Sequence, residues 1–118
     1  MIDRKWAEHF SRAWIAAWNA HDLDAILSHY AETIDFHSPR IALVMNDPVA
    51  SISGKVALAA YWKRALGLAP ELRFEFERLY VGSDSVSIAY RNHRGQHACE
   101  TFLFGDDGLV LTSVATYS

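Results

Sequence analysis

Three turn-forming clusters, Gly82-Ser83-Asp84, His93-Arg94-Gly95 and Gly105-Asp106-Asp107-Gly108, punctuate the last third of the chain. They separate four strand-like runs, roughly 72–81, 85–92, 96–104 and 109–117, rich in aliphatic, Thr and aromatic residues. Short runs joined by hairpin turns predict an antiparallel meander. A meander with one apolar face needs a second layer to cover it, and the first half of the chain supplies helices.

Trp6, Phe10, Ala13, Trp14, Ala17 and Trp18 recur at helical spacing, with Arg4, Glu8, Arg12 and Asn19 off that stripe. Asn19-Ala20-His21-Asp22 breaks the pattern, and Asp22 is placed to cap a second helix carrying Leu23, Ile26, Leu27 and Tyr30. Thr33 to Ser38 alternates apolar and polar, predicting a short strand ended by Pro39. A third helix is predicted with Ser53 as cap, Leu58, Tyr61, Trp62, Ala65 and Leu66 as its stripe, and Gly67 and Pro70 as its stop. Residues 39–53 show no regular period, yet Ile41, Leu43, Val44, Met45 and Val49 are apolar. That combination predicts a flap over a core or a cavity. The expected fold class is α+β: three helices on a curved, mostly antiparallel sheet, with an apolar pocket between the layers.

A length of 118 residues suits one domain spanning 1–118, and 51% hydrophobic content is enough for a core. Eleven Lys and Arg against fourteen Asp and Glu give 11 − 14 = −3, which argues against a nucleic-acid binder. No apolar run approaches the roughly 20 residues of a membrane span. The opening residues lead straight into the first helical pattern, with no signal peptide visible. Cys99 is the only cysteine, so neither an internal disulfide nor a Cys-rich zinc pattern is available. The expectation is a soluble cytoplasmic domain.

The turns also set the register. If His93-Arg94-Gly95 is a three-residue loop with Gly95 left-handed, Tyr90 opposes Ala98, Ile88 opposes Glu100 and Val86 opposes Phe102. Opposed residues share a face, so Val86, Ile88, Tyr90, Ala98, Phe102 and Phe104 form an apolar surface. The last strand is expected to add Leu111, Ser113, Ala115 and Tyr117 to it. The opposite face would carry Ser87, Ala89, Arg91, Cys99, Thr101 and Leu103, with Val110, Thr112, Val114 and Thr116 beside them. This semi-polar surface suits solvent or a flat homodimer contact. Glu100 is the anomaly of the apolar face. A carboxylate there is desolvated, its pKa rises, and it needs a partner or a proton. Tyr90, Ser113, Tyr117, Trp14 and Trp18 are the available donors.

The string WIAAWNAHDLDAILSHYAETIDFHSP resembles the opening of the SnoaL-like, nuclear-transport-factor-2-like superfamily, as do the Gly54-Lys55 helix start with Tyr61-Trp62 and the four closing strands. The resemblance spans essentially the whole chain. It implies a cone-shaped α+β fold with an apolar pocket, and often a dimer through the outer sheet face. Members include ketosteroid isomerases, polyketide cyclases, dehydratases, epoxide hydrolases and non-catalytic binding domains. Ketosteroid isomerases use an Asp base, with a Tyr and a protonated Asp as oxyanion donors. Matching their motifs places the tyrosine on Trp14, the base on Ser38 and the second acid on Glu100. Two of three positions differ, which argues against that mechanism. The single pocket acid of the cyclases is compatible with Glu100.

The candidate catalytic residues are therefore Glu100, as a proton carrier, and His37, which a bulge before Pro39 could turn towards the cavity mouth. A flat apolar ligand would be lined by Trp14, Trp18, Phe36, Ser38, Trp62 and Phe74 from the first part of the chain. Tyr90, Phe102, Ser113 and Tyr117 would complete the lining from the meander. Asp22, His21 and His29 read as structural, and His93 with His97 is too few ligands for a metal. The expectation is a pocket for a small hydrophobic molecule, with no metal and no cofactor. It would serve either an acid–base enzyme or a non-catalytic ligand-binding or dimerisation module.

Overall fold

The computed structural model describes residues 1–118. Helix α1 (Arg4–Asn19) starts where Asp3 accepts the Trp6 amide at 3.3 Å, and buries Ala7, Phe10, Ser11, Trp14, Ala17 and Trp18. Helix α2 (Leu23–Leu27) is capped by Asp22, which accepts the Ala25 amide at 3.1 Å. Tyr30 does not continue that helix, as its spacing suggested. It opens strand β1 (Tyr30–His37), because Val110 pairs with it and donates its amide to the His29 carbonyl at 2.9 Å. Sheet pairing outweighs one more helical turn here.

The 39–53 segment is more regular than its sequence predicted. It holds a short helix α3 (Arg40–Met45) and a strand β2 (Ser51–Ser53) antiparallel to β1. Helix α4 (Lys55–Leu68) is preceded by Gly54, not capped by Ser53, whose backbone belongs to β2. Gly54 has φ 91 and donates its amide to the Ile34 carbonyl at 2.7 Å, a tie that favours glycine at this corner. The helix also runs through Gly67 before ending at Leu68.

The meander is β3 (Glu75–Val81), β4 (Ser85–Arg91), β5 (His97–Phe104) and β6 (Val110–Tyr117). The six strands order as β2-β1-β6-β5-β4-β3, with β1 and β6 parallel. The sheet is curled and unclosed, and the helices pack against it. The β4–β5 register is the one the three-residue loop requires: Gly95 has φ 76, Tyr90 opposes Ala98 and Ile88 opposes Glu100. The expectation failed at the start of β6. Leu103 pairs with Thr112 but Phe104 pairs with Val110, so a bulge leaves Leu111 without an opposing residue. Val110 is fully buried and Leu111 is 42% exposed, the reverse of the predicted faces. Ser113, Ala115 and Tyr117 lie on the inner side as expected. No helix is long and apolar enough to cross a membrane.

Candidate functional site

Two aromatic layers meet between α1, α4 and the sheet. Trp14 packs against Phe74, Tyr90 and Phe102, and Trp18 against Trp62, with ring centroids 5.2–5.6 Å apart. Between these rings and the sheet, Tyr90, Glu100 and Tyr117 present polar tips to a space that the rings leave open. The resulting cavity has a volume of about 250 Å³. Trp14, Trp18, Phe36 and Trp62 line it, and so do Ser38, Phe74, Tyr90, Glu100 and Tyr117. An open groove of about 730 Å³ runs along the outside of α1 and β3, but Arg4, Glu8, Arg12, Glu77 and Arg78 make it a solvated charged surface.

Glu100 sits in the middle of β5 and is 5% exposed. The Ser113 hydroxyl donates to its Oε2 at 2.7 Å. Burial pushes the Glu100 carboxyl up to about 7, and the Ser113 bond draws it partly back. Near neutral pH the group therefore both holds and releases a proton. Behind it, the Trp14 Nε1–H donates to the Tyr30 hydroxyl at 3.0 Å. Burial, then the nearby Glu100 charge, holds the phenols of Tyr30 and Tyr90 well above their ordinary value, so they remain donors.

The remaining predicted residues separate. Phe102 is fully buried but lies behind the lining, in edge contact with Phe10 and Trp14. Ser113 also lies behind it, hydrogen-bonded to Glu100. Ser38 is 4% exposed at the end of β1, and its hydroxyl accepts the Arg40 amide at 3.2 Å. His37, one residue earlier, points the other way. Its Nε2 lies 3.0 Å from Asp35 Oδ2 on the outer side, both side chains are half-exposed, and it does not line the cavity. From Ile34 the alternation of β1 persists to its end, and its register irregularity lies earlier, between Tyr30 and Asp35, so nothing brings His37 in.

Sequence reasoning missed several lining groups. Tyr61 looked like simple core, and Tyr30, hidden by its helical spacing, lies behind the lining as the acceptor of Trp14. Arg40 on α3, and Asn92, His93 and Arg94 on the β4–β5 hairpin, reach the rim from segments read as flap and turn. Their only sequence signal is their basic or amide character beside otherwise apolar strands.

The SnoaL-like domain family matches residues 11–117 of this sequence. The chain belongs to the SnoaL-like family. A SnoaL-like protein of unknown function from Burkholderia thailandensis is 46% identical over 100% of this chain and 99% of its own, with a TM-score of 0.93. A protein provisionally named a polyketide cyclase, from Sinorhizobium meliloti, is 17% identical over 88% of this chain and 90% of its own, at a TM-score of 0.71. TerC, co-crystallised with polyporic acid, is 13% identical over 90% of this chain and 86% of its own, at 0.73. The last two likenesses are of fold. No curated protein matches this SnoaL-like chain.

Proposed function

We propose that this SnoaL-like protein binds a compact, largely apolar molecule bearing a carbonyl or hydroxyl oxygen, and moves a proton on it with Glu100. The observation that carries this is a single buried carboxyl, raised to about 7, in the lining of an aromatic cavity. A group with that pKa serves as general acid or base at neutral pH. Ser113 orients it, and the phenol of Tyr90 is a neutral donor in the same lining. The cavity volume is below the roughly 300–1,000 Å³ of drug-sized sites, which favours one or two rings. TerC's polyporic acid and the cyclase name of the Sinorhizobium meliloti protein support a small-molecule role on this fold. His37 lies outside the cavity and is given no step.

The test uses 2-tetralone in D2O, following exchange of its α-protons by NMR. Wild type is expected to accelerate exchange, and Glu100→Gln to abolish the acceleration while still binding the ketone. Equal exchange in both proteins removes the acid–base reading and leaves a non-catalytic ligand-binding module. We also infer a homodimer across the outer sheet face, where Leu103 is 39% and Val114 36% exposed. Sedimentation at micromolar concentration is expected to give the dimer mass, and a monomer mass counts against it.

A further inference from the structure

The two ends of the cavity differ in charge. Glu100 is the only carboxylate in the lining, and it is buried in the sheet. The rim carries Arg40 from α3 and His93 and Arg94 from the β4–β5 hairpin. Neither arginine joins any of the ion pairs of the molecule. Arg40 Nη2 donates to the neutral Gln96 Oε1 at 2.6 Å, and its guanidinium lies 4.5 Å over the Tyr117 ring. A guanidinium has five N–H donors, so most of Arg40's remain for another acceptor.

His93 has a side chain only 14% exposed, and both ring nitrogens are buried without a hydrogen-bond partner. Its Nε2 lies 3.5 Å from the carboxylate of Glu71, whose side chain is 62% exposed, without a hydrogen bond between them. Trp18, in the same lining, also has its Nε1–H buried without an acceptor. Each unpartnered buried polar atom costs about 1–3 kcal/mol, so folded proteins keep few of them. Two residues with such atoms in one lining, beside two cations without acidic partners, mark where a ligand supplies oxygens.

Building on the pocket reading above, we propose that the ligand is an amphiphilic organic acid. Its flat apolar body lies among Trp14, Trp62 and Phe74, and its carboxylate lies at the rim between Arg40, His93 and Arg94. Arginine matches a carboxylate in two parallel N–H···O bonds, a geometry that a neutral amide cannot equal. Glu100, buried in the sheet, is left to face an oxygen on the apolar body.

Calorimetric titration with 2-naphthoate and 2-naphthamide isolates the charge, since the two share a ring system and nearly a size. Naphthoate is expected to bind about tenfold tighter or more, the scale of a charge-assisted hydrogen bond. Arg40→Gln is expected to erase most of that advantage and Arg94→Gln part of it, with naphthamide affinity falling far less than naphthoate affinity. Arg94 is exposed, so its variant keeps the test open if Arg40→Gln does not fold. Amide binding as tight as acid binding, or an advantage that survives both substitutions, overturns the charge assignment and leaves the pocket reading standing. Binding of neither compound overturns both.

Discussion

One helix stripe feeds both ends of the aromatic interior, and the ends come out differently. Near the start of α1, Trp6, Phe10, Phe102 and Phe104 meet edge-on at about 5.0 Å and fill their space. Further along, Trp14, Trp18, Trp62 and Phe74 pack at similar spacings around a cavity. The sheet makes the difference. Along the inner face of β5 the side chain shrinks from Phe102 to Glu100 to Ala98, and Ala115 stands opposite Glu100. Where rings stop filling the inner face of β5, the Glu100 carboxyl stands in the cavity lining and is desolvated. Packing at one end supports the fold, and incomplete packing at the other leaves the cavity.

The comparison breaks most directly at Phe102. Phe102→Ala is expected to cost about 3–5 kcal/mol in denaturant unfolding, since it opens a void in a filled region. Leu43→Ala, at the cavity rim and 78% exposed, is expected to cost under about 0.5 kcal/mol. Equal costs would mean the two ends are packed alike.

The next largest effect is pH dependence. Glu100 titrates near 7 when folded and near 4.5 when unfolded. Between those values the folded state binds more protons, so stability falls as pH rises. The loss is on the order of 3 kcal/mol and is complete above about pH 7. Glu100→Gln is expected to flatten that slope in urea unfolding measured from pH 4.5 to 8. A slope that persists in the variant would place the titrating group elsewhere.

Ser113→Ala is a smaller change of the same kind. It is expected to cost about 1–2 kcal/mol above pH 7 and to raise the Glu100 carboxyl further, because the lost hydrogen bond favoured the ionised form. Carboxyl-carbon NMR reads the direction. Smallest of all is the outer pair: Asp35→Asn is expected to change stability by less than about 0.5 kcal/mol and to leave the Glu100 titration alone. A shifted Glu100 curve would connect the two faces of β1 and weaken the contrast.

Much of this contrast was legible in the sequence, because strand periodicity is local. The His93-Arg94-Gly95 loop alone set the register that turns Glu100 inward, and the α1 spacing alone placed Trp14 and Trp18. What was not legible depends on distant partners. Whether Tyr30 ends a helix or opens a strand is decided by Val110, eighty residues away. The exchange of Leu111 for Val110 rests on a bulge that no turn composition announced. Arg40 opens a short helix while His93 and Arg94 lie on a connection, and only the assembled layers show that α3 and the hairpin tip overhang the same opening.

Strand β6 lies between β1 and β5, so before it docks the sheet exists as two pieces, β2-β1 and β5-β4-β3. Each piece then has a bare inner edge, and Glu100 lacks its Ser113 partner. The strand latest in the sequence is thus a keystone in time as well as in space. A chain whose synthesis pauses before Val110 carries two unpaired edges open to association with other chains, and a cavity still without its Tyr117 wall.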